Sequence, residues 1–133
     1  MKQSRQLWVI DDDEDEHFLI RAALAHLFPG VRLVSFYSGE AFVNHLTQTE
    51  LVPRLVLLDL NMPGFNGFDT LLATRMHLTG TQLPVIMLTN SANQEDKALA
   101  LKLGANEFCT KSGDMAIFET LLRRLVADFG LLD

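Results

Sequence analysis

Leu55-Val56-Leu57-Leu58-Asp59-Leu60-Asn61-Met62-Pro63-Gly64 is an aliphatic run that stops on one carboxylate and passes into a loop. Four consecutive aliphatic residues predict a strand buried on both faces, as in a parallel sheet. Pro63, Gly64 and Gly67 then mark an irregular connection. In open parallel sheets, ligands bind just beyond the carboxyl ends of the strands. Asp59 lies at that place. An Asp at a strand end also starts turns for purely local reasons, so the weight of this reading rests on the other strand ends.

Working outward, Leu7-Trp8-Val9-Ile10 reads as a first strand that stops at Asp11-Asp12-Asp13-Glu14-Asp15-Glu16. Ile20, Ala23, Leu24 and Leu27 follow at helical spacing, and Pro29-Gly30 ends that helix. The later acidic residues, Asp15 and Glu16, suit a helix N-terminus. Asp11 and Asp12 come too early to be only cap residues. Val31 to Phe36 predicts a second strand, and Ser38 caps a helix carrying Ala41, Phe42, His45 and Leu46. Pro53 marks the boundary before the Asp59 strand.

Beyond the loop, Phe68, Leu71, Leu72, Arg75 and Met76 have helical spacing, with Gly80 as the stop. Pro84 to Thr89 is another apolar strand, ending in a hydroxyl. Asn90-Ser91-Ala92-Asn93 opens a helix with Gln94, Glu95 and Asp96 in its first turn and Gly104 as its C-terminal stop. Asn106 to Lys111 is the last strand and ends in a cation. Phe118, Leu121, Leu122, Leu125 and Phe129 line a final helix. Strands alternating with helices through short connections predict an α/β fold with a parallel sheet covered on both faces.

The composition bounds the function. A chain of 133 residues fits one domain. The formal charge of −6 argues against nucleic acid and anionic membrane as partners, since both favour clustered Lys and Arg. No apolar run approaches the roughly 20 residues that span a bilayer. The four apolar residues after Met1-Lys2-Gln3-Ser4-Arg5-Gln6 are too few for a signal-peptide core. The single cysteine, Cys109, cannot form an internal disulfide, which fits a reduced, cytoplasmic protein. The four histidines (His17, His26, His45 and His77) read as surface or boundary residues rather than ligands.

If the strands are parallel, their carboxyl ends bring Asp11, Asp12, Asp59, Thr89 and Lys111 to one rim. Crowded carboxylates resist full ionisation. A hard divalent cation relieves the repulsion, and oxygen ligands with several waters are what Mg²⁺ prefers. A carboxylate beside Mg²⁺ and a lysine can attack a phosphoryl donor, while the surrounding cations neutralise the charge that develops.

At this point the sequence resembles the receiver domain of two-component response regulators. The likeness runs from Leu7 to Phe129 through Val9-Ile10-Asp11-Asp12-Asp13, Leu58 to Gly64, Leu88-Thr89, and Gly104-Ala105 through Phe108 to Lys111. It implies a flavodoxin-like, CheY-like doubly wound sheet of five strands in the order 2-1-3-4-5 with five helices, and a single receiver domain over 1–133 with no output domain. Asp59 would be the phospho-acceptor. Asp12 and the Asn61 backbone carbonyl would ligate Mg²⁺ together with Asp59, and Asp11 would act through a bound water. Lys111 would be the counter-ion, Thr89 the switch hydroxyl and Phe108 the switch aromatic.

A histidine kinase or histidine phosphotransfer protein would supply the phosphoryl group, which the domain would slowly hydrolyse. A downstream protein, or a second copy of the chain, would read the face made by the fourth helix, fifth strand and fifth helix. The terminal helix, with Arg123 and Arg124, belongs to that surface.

Three positions depart from the family pattern. Ser112 follows Lys111 where a cis proline is usual. A non-proline cis bond costs about 3 kcal/mol, so either Ser112 keeps a strained geometry or the loop differs. Stand-alone receivers that partner bacterial phytochromes look similar here. Asn90 is bulkier than the usual residue after the switch hydroxyl, and Phe108 lacks a phenolic hydroxyl. Two other readings stay open. One is a Mg²⁺-dependent hydrolase like the haloacid dehalogenases, with Asp11 as nucleophile, although the second acidic cluster it needs is missing after Lys111. The other is a binding scaffold that works without phosphorylation.

Overall fold

The computed structural model describes residues 2–132, so Met1 and Asp133, the ends of the expected 1–133 domain, lie outside the described residues. Five strands alternate with five helices: β1 (Lys2–Ile10), α1 (Glu14–Leu27), β2 (Arg32–Phe36), α2 (Gly39–Leu46), β3 (Leu51–Leu58), α3 (Gly67–Arg75), β4 (Val85–Thr89), α4 (Gln94–Lys102), β5 (Glu107–Thr110) and α5 (Met115–Asp128). All pairings are parallel and the sheet order is β2-β1-β3-β4-β5. The expected doubly wound architecture is therefore observed.

The period of two along each strand divides the core in two. Trp8, Ile10, Val56, Leu58, Val85 and Met87 point to one face, where Phe42 and Leu46 of α2, Leu71 of α3 and Ala100 of α4 cover them. Leu7, Val9, Leu55, Leu57, Ile86 and Leu88 point to the other face, under Ile20, Ala23 and Leu24 of α1 and Leu122, Leu125 and Val126 of α5. Both faces of the central strands are buried, which is why their sequences show uninterrupted aliphatic runs. Burying one such side chain stabilises the fold by roughly 1.5–3 kcal/mol.

The helix starts follow the sequence. Ser38 accepts a hydrogen bond from the Ala41 N–H, and Asn93 accepts from the N–H groups of Glu95 and Asp96. Gly104 adopts φ +106°, the left-handed geometry that ends α4.

Three boundaries differ from expectation. β1 and β3 begin earlier, at Lys2 and Leu51, and pair as Lys2↔Leu51, Gln3↔Val52 and Ser4↔Pro53 before the register shifts between Ser4 and Leu7. Pro53 thus lies inside β3, next to the irregularity, where its missing N–H costs least. α3 stops at Arg75 rather than near Gly80. The Arg75 guanidinium there donates to the carbonyls of Leu78, Leu83 and Gly104 at 3.2, 2.8 and 2.8 Å, satisfying them outside any helix.

Candidate functional site

At the carboxyl end of the sheet, the parallel ladders continue one residue past β1 and β3. The Asp11 N–H donates to the Phe36 carbonyl at 3.1 Å, and the Asp59 N–H donates to the Ile10 carbonyl at 2.9 Å. Each carboxylate is thereby anchored to the neighbouring strand just past its own. Asp11 and Asp59 are buried, at 3% and 7% exposure, while Asp12 is exposed. One ligand oxygen from each of the three lies within 4.8 Å of the others. It is the one such group of potential metal ligands among the described residues. All its donors are carboxylate oxygens, which fits a hard divalent cation and not a soft one.

Lys111 reaches into the same cluster. Its Nζ lies 2.9 Å from Asp11 Oδ2, 3.5 Å from Asp59 Oδ1 and 3.8 Å from Glu16 Oε1. Burial disfavours its charge, but the hydrogen bond to Asp11 and the surrounding carboxylates outweigh this and raise its pKa. Burial raises Asp59 most, and the Asp11 charge adds to it. Lys111 and the Asn61 backbone N–H oppose them, leaving Asp59 at about 6. A buried carboxyl that resists ionisation is where an added cation has most effect.

Thr89 is fully buried at the end of β4. Its Oγ1 accepts from Asn61 Nδ2 at 3.4 Å and from the Ser91 N–H at 3.3 Å. Phe108 of β5 pairs with Met87 and packs, half-buried, on the α2–α4 side of the sheet. Asp11, Asp12, Asp59 and Lys111 are thus brought together, and the Asn61 side chain links their loop to Thr89. Phe108 packs against the core on the α2–α4 side and, among the described residues, makes no hydrogen bond or ring contact with the cluster.

No peptide bond among the described residues is cis, so Lys111-Ser112 is trans and the loop differs from the proline pattern. There the Lys111 N–H donates to the Thr89 carbonyl at 2.7 Å, and Ser112 Oγ accepts from the Asp114 N–H at 3.1 Å. Asn90, Ser112 and Lys111 line a cleft of about 210 Å³ between α1 and α5, with Glu16, Met115 and Phe118.

Two readings of the sequence need correction. Glu16 does more than suit the helix N-terminus: it faces Lys111, and its pKa is raised, first by burial. His17 is not a surface residue. It is fully buried, with both ring nitrogens hydrogen-bonded. His26, His45 and His77 are exposed, and the centroid of the His45 ring lies 5.2 Å from that of Trp8.

In the sequence Gly67 reads only as a loop residue, whereas in the structure it opens α3. A Cβ there would lie 2.5 Å from the Asp59 carbonyl oxygen and 2.7 Å from Leu60 Cα, both backbone atoms. Gly67→Ala is expected to push α3 away from the end of β3 and to destabilise the fold by about 1–3 kcal/mol. Urea unfolding measures this, and an unchanged midpoint would show that the close approach is not required.

Comparisons with known proteins agree with this geometry. The regulator GltR of Pseudomonas aeruginosa is 32% identical over 124 residues, covering 90% of this chain and 50% of that protein. CpxR of Escherichia coli K12 is 34% identical over 106 residues, covering 80% of this chain and 42% of that one. The chain therefore spans about half the length of these transcriptional regulators. Among solved structures, the phosphorylated cyanobacterial phytochrome response regulator RcpA superposes with a TM-score of 0.81 at 25% identity, over 91% of this chain and 90% of that one. A receiver domain from Rhodospirillum rubrum gives 0.81 at 26% identity, over 96% and 95%. The family model for the response regulator receiver domain matches residues 7–123. With these matches, the strand order and the acidic rim, the chain belongs to the response regulator receiver domain family.

Proposed function

We propose that this domain accepts a phosphoryl group on Asp59 from a phosphohistidine donor and uses it to shift a protein-binding face. The observation that carries the reading is Asp59 itself: a buried carboxylate 3.5 Å from the Lys111 ammonium, inside a cluster of three carboxylates. The donor would be a histidine kinase or a histidine phosphotransfer protein.

In the step proposed, an Asp59 carboxylate oxygen attacks phosphorus. The phosphorus–nitrogen bond to the donor imidazole breaks, and the imidazole leaves with the bonding pair and takes up a proton. Lys111 neutralises phosphoryl oxygens as charge spreads over them. Asp12, Asp59 and the Asn61 carbonyl would hold Mg²⁺, with Asp11 acting through water. The bound ion supplies charge neutralisation for the acidic rim and the incoming phosphoryl oxygens. Slow hydrolysis of the aspartyl phosphate would return Asp59 to its starting state.

Thr89 is positioned for the readout. Its hydroxyl oxygen now accepts from Asn61 and Ser91. Turning it to donate to a phosphoryl oxygen releases the Ser91 N–H, and Ser91 Oγ is itself bound to Asp96 of α4 at 2.7 Å. Phe108 would follow by moving inward, reshaping the face of α4, β5 and α5. A downstream protein would bind that face, and a second copy of the chain is a further candidate. A phosphoryl group can shift such an equilibrium only by as much as it binds the two states differently.

Only the ionised form of Asp59 is a nucleophile. With a small phosphodonor at limiting Mg²⁺, the initial rate is expected to rise with pH through about 6. Raising Mg²⁺ is expected to move that midpoint down. A rate independent of pH across this range would contradict the electrostatics described. The proposed function is tested directly by incubating the domain with a radiolabelled, phosphorylated histidine phosphotransfer domain. Transfer of label that requires Asp59 supports it, and label that stays on every donor tried counts against it.

A further inference from the structure

His17 makes contacts that the proposed phosphoryl chemistry does not use. It lies in the first turns of α1 and is 0% exposed. Its Nε2 is 2.7 Å from the Asp11 backbone carbonyl oxygen, and its Nδ1 is 2.9 Å from Ser35 Oγ on β2. A carbonyl only accepts, so Nε2 carries the hydrogen and donates it. The ring is held from the side as well: Tyr37 lies against it with centroids 4.3 Å apart and planes 37° apart. Arg21 Nη2 donates to the same Ser35 hydroxyl at 3.4 Å. The orientation of the imidazole is therefore fixed from β2, the strand next to β1.

The carbonyl that His17 grips belongs to the peptide between Asp11 and Asp12. Every other polar group of Asp11 has a partner too. Its N–H goes to Phe36, its Oδ1 accepts from the Asp13 N–H at 2.9 Å, and its Oδ2 accepts from Lys111 at 2.9 Å. Holding the carbonyl sets the plane of that peptide. The plane sets where the Asp12 backbone begins and hence which way its carboxylate leaves the chain. Asp12 is the exposed member of the carboxylate cluster, and among the described residues no hydrogen bond holds its side chain. Its direction depends on the backbone behind it.

We propose that His17 is a positioning residue for the cation site: by fixing the Asp11–Asp12 peptide, it makes the two carboxylates converge with Asp59. This rests on the reading of the cluster as a divalent-cation site. It differs from a packing role in a testable way, because it requires the Nε2–H donor and not merely the volume of the ring. Groups one layer behind a metal site commonly change its affinity by 10- to 100-fold when removed.

The test is Mg²⁺ binding by titration calorimetry, at one pH, on wild type, His17→Leu and His17→Gln. Leu fills similar space without a donor. The Gln amide nitrogen reaches about as far as Nε2 and can donate to the same carbonyl. The expected result is a loss of about tenfold or more in Mg²⁺ affinity for His17→Leu, with affinity restored to within a few-fold of wild type in His17→Gln. In wild type, the Nε2–H proton should be visible by NMR in slow exchange with solvent and should shift as Mg²⁺ is added.

Should His17→Leu not fold, Ser35→Ala frees the ring to turn and is expected to weaken Mg²⁺ binding several-fold with the circular dichroism unchanged. Equal affinities in all the folded variants would overturn the positioning role and leave the cation site standing. So would equal losses in His17→Leu and His17→Gln. Wild type that binds no Mg²⁺ would instead overturn the cation site, and this role with it.

Discussion

Asp59→Asn is expected to abolish phosphoryl uptake and, in chelator at neutral pH or above, to make the domain more stable than wild type. Loss of uptake follows from loss of the proposed nucleophile. The stability gain follows from burial. The Asp59 carboxyl is raised from its ordinary 3.8 to about 6 in the fold, and each pKa unit is worth about 1.4 kcal/mol. A carboxyl with a raised folded pKa favours folding when protonated. That contribution is complete below the unfolded value and is lost as pH rises through about 6. Above that pH an ionised Asp59 therefore costs up to about 3 kcal/mol, which a neutral Asn does not incur. Mg²⁺ should narrow or reverse the difference, because an ion held by the proposed site would bind the folded wild type and not the unfolded chain. Thermal melts of the two proteins at pH 8, with chelator and with Mg²⁺, measure this. A variant less stable than wild type in chelator would contradict the assigned strain.

Lys111→Met is expected to act in the opposite direction on stability. Lys111 faces Asp11, Asp59 and Glu16, whose side chains are 5%, 8% and 24% exposed. Removing one partner of a buried ion pair costs about 3–5 kcal/mol, because charge is left behind without compensation. Here the remaining carboxylates can escape part of that cost by protonation, so the loss should be larger at pH 8 than at pH 5. Added Mg²⁺ should recover much of it. Phosphoryl uptake should slow by about 10²-fold or more, the usual cost of removing one group that stabilises developing charge. Uptake at the wild-type rate in a folded Lys111→Met would remove Lys111 from the chemistry.

The architecture was legible because burial on both faces leaves a plain trace. Leu55 to Leu58 and Val85 to Leu88 have no polar residue between them, and each run ends on the residue that faces the rim. Where burial is one-sided or absent, the trace fades. Gln3, Ser4, Arg5 and Gln6 are polar, so nothing in their pattern announces the early pairing of β1 with Leu51 to Pro53.

The candidate site residues Asp11, Asp12, Asp59 and Lys111 could be named because strand ends in a parallel sheet share one edge. The residues behind them were less visible, for different reasons. His17 did carry a signal. It precedes Ile20 and Leu24 by three and seven residues, which places it on the buried stripe of α1. Its polar side chain concealed this, since His is as often exposed as buried. Gly67 carried no local signal at all. Its requirement arises from the approach of α3 to the Asp59 carbonyl, a contact between segments that no short pattern encodes. The trans bond at Lys111-Ser112 was likewise open in the sequence, since both isomers were compatible with the residues there.

We propose that Asp59 takes up a phosphoryl group in a site completed by a divalent cation. Intact mass after incubation with acetyl phosphate tests it most directly, on wild type, Asp59→Asn and Asp11→Asn, with Mg²⁺ and with chelator. One added phosphoryl group is expected on wild type, lost with chelator and lost in Asp59→Asn. An adduct that survives Asp59→Asn and disappears in Asp11→Asn would move the nucleophile to the end of β1 and contradict it.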